Sequence, residues 1–177
     1  KAGKKENTKT EVSPSFIVYE DKILQLDHEF KYNVDVLEFN KLAARVTSPD
    51  TDNDQKISFA KKAIELYRGE FLPGYYDEWI EEMRSVLSHK YTETVEILLS
   101  ILKKKNNYEE LINYSEKLLL TDKLHEEAFY YLIYAYKAIG NETMAKKKFS
   151  QLLKNYEEEY GEKPPKELLN RIQSILV

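Results

Sequence analysis

The sequence predicts a mainly α protein built of antiparallel helix pairs, with one short β-hairpin ahead of them. Three observations carry that expectation. Glycine and proline number only five each in 177 residues, so the punctuation that many short strands require is scarce. From about Asp77 to Lys104 the apolar residues Ile80, Met83, Leu87, Tyr91, Val95, Leu98 and Leu102 recur at steps of three and four. Two segments of the second half also align at a spacing of 34 residues.

The elements follow in order. Residues 1–15, KAGKKENTKTEVSPS, are lysine-rich and aperiodic and read as a flexible tail. The chain opens at Lys1 within a polar stretch, as a piece of a longer protein would. Phe16-Ile17-Val18-Tyr19 is a β-prone run, Glu20-Asp21-Lys22 a polar turn, and Ile23, Leu24 and Leu26 a second short strand. An isolated hairpin is marginal in water, so this one is expected to pack on something or to belong to a neighbouring unit. Val34 to Val46 carries Val36, Leu37, Phe39, Leu42 and Ala43 at helical spacing, with Asp35 near its start. Residues 48–54 form a loop, and Ile57 to Tyr67 carries a broad apolar stripe that Gly69 is expected to stop. Pro73-Gly74 then makes a loop carrying Tyr75, Tyr76 and the single tryptophan, Trp79, toward the long helical run.

The repeat pairs Val95 with Phe129, Leu98 with Leu132, Leu99 with Ile133, Leu102 with Tyr136, and Leu118-Leu119 with Leu152-Leu153. Its turns also agree, Asn106-Asn107 matching Gly140-Asn141. Two helices per 34 residues is the tetratricopeptide period, and helix pairs are predicted at 89–105, 108–120, 124–139 and 142–159. Gly140 closes one helix, Asn141 caps the next, and Ala145 is small where helices approach closely. Asn106, Leu111 and Lys123 depart from the usual glycine, alanine and proline, and an ordinary helical bundle is the competing arrangement. Gly161 stops the last long helix. Pro165 then suits the first turn of an amphipathic closing helix carrying Leu168, Leu169, Ile172, Ile175 and Leu176. Such a helix covers the open end of a stack.

Ala63-Ile64 with Leu66-Tyr67-Arg68-Gly69, then Leu72, Trp79, the repeat, and Tyr160-Gly161-Glu162-Lys163-Pro164 with Leu168 together resemble the bacterial transcriptional activator domain. That domain occurs in regulators of the Streptomyces antibiotic regulatory protein type and in related response regulators. The likeness covers roughly residues 34–177. It implies that residues 1–33 are the tail of a winged-helix DNA-binding domain, FIVYEDKILQL being its last hairpin. It also implies that residues 34–177 serve dimerisation, interdomain control or contact with a partner such as RNA polymerase or a sensor domain of the same chain. DNA would be bound only through the upstream domain, in the cytoplasm. A free-standing tetratricopeptide-like adaptor without DNA binding is the alternative.

Composition narrows the classes further. A net charge of −4 gives the chain as a whole no concentrated basic surface for phosphates. With no cysteine there are neither disulfides nor thiolate metal sites. The apolar runs are too short to span a bilayer, and no secretory signal opens the chain. His28, His89 and His125 are scattered without a second ligand at metal spacing, so no metal is expected. Asp50, Asp52 and Asp54 lack the glycine and terminal glutamate of a calcium loop, and Glu157-Glu158-Glu159 point in different directions on a helix. No phosphate loop or serine–histidine frame is present, so no cofactor and no enzyme activity are expected. Lys103-Lys104-Lys105 suit a helix C-terminus, and Lys146-Lys147-Lys148 a solvated face. Lys4, Lys5 and Lys9 are the better DNA-contact candidates, although a solvated tail explains them too. Trp79 is expected to anchor the loop in the core. Candidate protein contacts are Tyr75, Tyr76, Tyr130, Tyr131 and Tyr134, and since Tyr130 and Tyr131 are consecutive, at least one should be exposed or in an interface.

Overall fold

The computed structural model describes residues 17–20, 22–26 and 31–177, which fall into two units divided at Val34 and Asp35. In the first unit, β1 (Ile17–Glu20) and β2 (Ile23–Leu26) pair antiparallel with Ile17 opposite Leu26 and Glu20 opposite Ile23. Lys22 takes φ +67° in the connecting turn. The tail of residues 1–15, with Lys4, Lys5 and Lys9, lies outside the described residues, as does His28.

The second unit is all helical: α1 (Asp35–Thr47), α2 (Asn53–Leu66), α3 (Glu78–Lys104), α4 (Tyr108–Thr121), α5 (Glu126–Ala138), α6 (Glu142–Tyr160) and α7 (Lys166–Leu176). Each helix packs on the next, and the odd-numbered helices also pack on one another, α1 on α3, α3 on α5 and α5 on α7. The even-numbered helices make no such backbone approach to each other. Ion pairs bridge them instead, Lys61 to Glu110 at 2.6 Å between α2 and α4, and Lys148 to Glu116 at 3.0 Å between α6 and α4. One close row of helices carries a second, more widely spaced row.

The core forms two clusters that meet on α5. Ala128 and Ala135 face the first, with Val95, Leu98, Leu102, Leu111 and Leu118, while Phe129 and Ile133 face the second, with Ala145, Leu152, Leu168 and Ile172. Alanines at the centre of one face, flanked by the half-buried Tyr131 and Tyr134, and large residues on the other let both neighbours pack on α5.

The turns of the repeat are built alike. After α3, Asn106 adopts φ +55°, and its N–H donates to Lys103 O while the Asn107 N–H donates to Leu102 O, both at 3.0 Å. After α5, Gly140 adopts φ +77°, donating to Lys137 O at 3.0 Å, and the Asn141 N–H donates to Tyr136 O at 2.8 Å. These are two Schellman closures 34 residues apart. Asn107 and Asn141 then cap the following helices through their side chains, accepting from Glu110 N and Met144 N. Asn106, a departure in sequence, does the work of glycine because asparagine tolerates the left-handed region. Leu111, a second departure, and its counterpart Ala145 are both fully buried.

Three boundaries differ from expectation. α2 starts at Asn53, earlier than the apolar stripe, because Asp52 caps it, its Oδ1 accepting from Asp54 N and Gln55 N at 2.9 Å. It ends at Leu66 with Tyr67 already extended, so Gly69, with φ +138°, reverses the chain after the helix instead of stopping it. Pro165 is the N-cap of α7 and not part of its first turn. Gly161 closes α6 in the left-handed region as expected, and Pro164 is buried beside it.

Candidate protein-contact surfaces

The joint between α2 and α3 is held from an unexpected residue. Leu72-Pro73-Gly74-Tyr75 is a tight turn, with Gly74 at φ +86° and the Tyr75 N–H donating to Leu72 O at 3.3 Å. Proline second and a positive-φ glycine third is the chemistry of a type II turn. Arg84 reaches back from α3 and gathers three loop carbonyls: Nε donates to Phe71 O at 3.2 Å, and Nη2 to Leu72 O at 3.0 Å and Tyr75 O at 3.1 Å. Its Nη1 pairs with Glu81 at 2.6 Å, and Glu70 lies 3.7 Å from Nε. Leu72 takes φ +46°, a strained choice for a branched-chain residue, and this clamp holds its carbonyl. Sequence reasoning missed Arg84. Its signal was a lone arginine among acids, nearly two turns inside the helix that follows a proline–glycine loop.

Trp79 is therefore not the core anchor it was expected to be. Trp79 is 58% exposed, and its ring meets the edge of Phe71 with centroids 6.4 Å apart. The neighbouring Ile80, 2% exposed, enters the core instead. A helix fixes this choice, since consecutive side chains diverge by about 100°. On the inward face Tyr67, which caps α2, stacks on Tyr91 at 4.3 Å and tilts against Phe39, with Leu66 half-buried beside it. Burial, then the neighbouring Tyr67, pushes the Tyr91 hydroxyl pKa up. Val36, Phe39, Leu66, Tyr67, Phe71 and Leu87 line a groove of about 430 Å³ beneath the joint.

On the outward face Trp79, Met83 and Val86 form an exposed stripe at helical spacing, continued by Tyr75 and by Tyr76, which is 80% exposed. Met83 was expected in the buried stripe, but the first half of α3 carries two apolar faces and only the one with Ile80 and Leu87 meets the core. Asp77, Glu78 and Glu82 border the outward stripe and are exposed.

The repeat's tyrosines are arranged differently. Neither Tyr130 nor Tyr131 is exposed; both are half-buried, as is Tyr134. Their rings surround the ammonium of Lys103, at 4.7, 5.7 and 4.5 Å from the centroids of Tyr130, Tyr131 and Tyr134, and Lys103 Nζ donates to Tyr130 Oη at 2.8 Å. Arg171 of α7 lies over the other exposed part of this group, its Cζ 4.2 Å from the Tyr130 centroid, while its fork holds Glu127 of α5 at 2.5 and 3.0 Å. Consecutive tyrosines thus avoid the choice between core and water by sharing cations from α3 and α7. Tyr108 of α4 meets Tyr134 at 6.2 Å.

The remaining candidates have structural partners. Asp54 pairs with Lys105, Glu158 with Lys154 and Glu159 with Lys123. His125 caps α5, Nδ1 accepting from Ala128 N at 3.2 Å, with Nε2 3.3 Å from Glu96, whereas His89 is exposed. Among the described residues no three His, Asp or Glu side chains converge to hold a metal ion, and no helix is long and apolar enough to cross a membrane.

The family model of the bacterial transcriptional activator domain matches residues 34–176, and the chain belongs to that family, a regulatory and transcription-related one. No curated protein matches the chain.

Proposed function

We propose that this member of the bacterial transcriptional activator domain family is the regulatory contact module of a DNA-binding transcription regulator. It acts in the cytoplasm through protein contacts: a second copy, RNA polymerase or a sensor domain of the same chain. The observation that carries the proposal is the exposed stripe of Tyr75, Tyr76, Trp79, Met83 and Val86 beside the Arg84-clamped joint. Large aromatic side chains left in water at a helix start and the turn before it are the residues that carry binding energy when covered. The duplicated Schellman turns and asparagine caps support a tetratricopeptide-like reading of the scaffold that presents them. In the same proposal residues 1–33 are the end of a winged helix, and DNA contact is made there.

The test is transcription of the target promoter in cells carrying the full regulator, with Tyr76→Ser and Trp79→Ser in place. Lost activation with unchanged protein level and unchanged promoter binding is expected. Full activation by the double variant would overturn the proposal. Residues 34–177 alone are expected to give no tight, salt-sensitive DNA shift, and such a shift would overturn the assignment of DNA contact to the upstream domain.

A further inference from the structure

The cations around Tyr130 are more than a lock for α7. Lys103 comes from α3, Tyr130 from α5 and Arg171 from α7, so three helices of the close-packed row converge on one tyrosine, Lys103 on its hydroxyl and Arg171 over its ring. Glu127 is the one carboxylate bonded to either cation among the described residues, and it takes both Nη atoms of Arg171. Lys103 has no carboxylate partner there. The group therefore carries one uncompensated positive charge on a chain whose net charge is −4. An ammonium has three donors, and one is used on Tyr130 Oη. Tyr130 accepts that bond, so its own O–H remains available as a donor.

We infer that this group is a receptor for a carboxylate on an acidic peptide segment, with Lys103 Nζ and Tyr130 Oη donating to its two oxygens. An ordinary surface lysine would lose its freedom on binding. Lys103 is already fixed by three tyrosine rings, so little remains to be lost. A single net charge suits a carboxylate better than a phosphate dianion, because the guanidinium fork that would grip phosphate is turned to Glu127. Tyr131 and Tyr134 complete the wall around the ammonium, with Tyr134 set against the Tyr108 ring at 6.2 Å. Their half-exposed rings offer apolar surface on which an aliphatic side chain next to the carboxylate can lie. The site is independent of the Trp79 stripe.

The test is calorimetric titration of the folded chain with a blocked peptide of alternating glutamate and leucine, set against the same peptide with glutamine for glutamate, and against acetate. Saturable, salt-sensitive binding of the glutamate peptide alone is expected. Lys103→Gln should weaken it about tenfold and Tyr130→Phe about threefold, while Lys103→Arg retains it. Thermal melts check that each variant folds. Should Lys103→Gln unfold, the shift of the Tyr130 ring resonances on adding either peptide to the unmodified chain decides. No saturable binding, equal binding of the glutamine peptide, or folded variants that bind like the parent would overturn the receptor. Acetate binding as tightly as the peptide would overturn the peptide assignment.

Discussion

Two aromatic groups occupy this chain, and they differ in what their neighbours supply. Around Trp79 the adjoining side chains are acids and the rings stand in water. Around Tyr130 the adjoining side chains are cations delivered from helices before and after it, and the rings close over them. Residue type is nearly the same in both places. Supply of a cation from another element decides whether an aromatic becomes internal cement or a free surface, and only the three-dimensional row of α3, α5 and α7 provides it.

That contrast can be broken at several points. The largest effect should come from alkali. Burial, followed by Glu127 for Tyr131 and by a bond to Glu126 for Tyr156, raises both hydroxyl pKa values above 10, as burial beside Tyr67 does for Tyr91. A raised pKa means the folded state keeps protons that the unfolded state releases. Stability is then full below pH 10 and falls as pH climbs beyond it. Melting curves taken on both sides of pH 10 should show a steep drop, and a flat profile would contradict the buried tyrosines.

Tyr130→Ala comes next. It removes the platform shared by Lys103 and Arg171 and should cost about 2 kcal/mol, lowering Tm by roughly 6 °C. Arg84→Ala removes three hydrogen bonds to loop carbonyls, leaving Leu72 O only the Tyr75 N–H, and should cost about 1.5 kcal/mol. Increased proteolysis between Gly69 and Asp77, with the rest of the chain intact, would localise that loss. Trp79→Ser should change stability by less than about 0.5 kcal/mol, because the ring it removes is mostly in water.

Much of the scaffold was legible in sequence because it is written in local terms. Helical periodicity, the 34-residue spacing and the asparagine caps depend on neighbours a few residues away, and α3 to α6 lie within a residue or two of where those signals placed them. The site was less legible. Trp79 and Ile80 are adjacent and both apolar, and both were expected inside, although a helix turns only one of them inward and here it is Ile80. Arg84 matters through carbonyls up to thirteen residues away. The Tyr130 group depends on Lys103, 27 positions earlier, and on Arg171 in the closing helix. Long-range polar contacts leave no period to read.

The central claim is that the contact that activates transcription is made by the bare aromatic stripe, while the cation-bound tyrosines hold the stack and serve a separate, acidic ligand. It is tested most directly by measuring Tm and promoter activation together for Tyr76→Ser/Trp79→Ser and for Tyr130→Ala in the full regulator. The stripe variant should keep its Tm within about 2 °C and lose activation, whereas Tyr130→Ala should lower Tm and, below its melting point, still activate. A stripe variant that activates normally, or one that melts as early as Tyr130→Ala, would contradict the account.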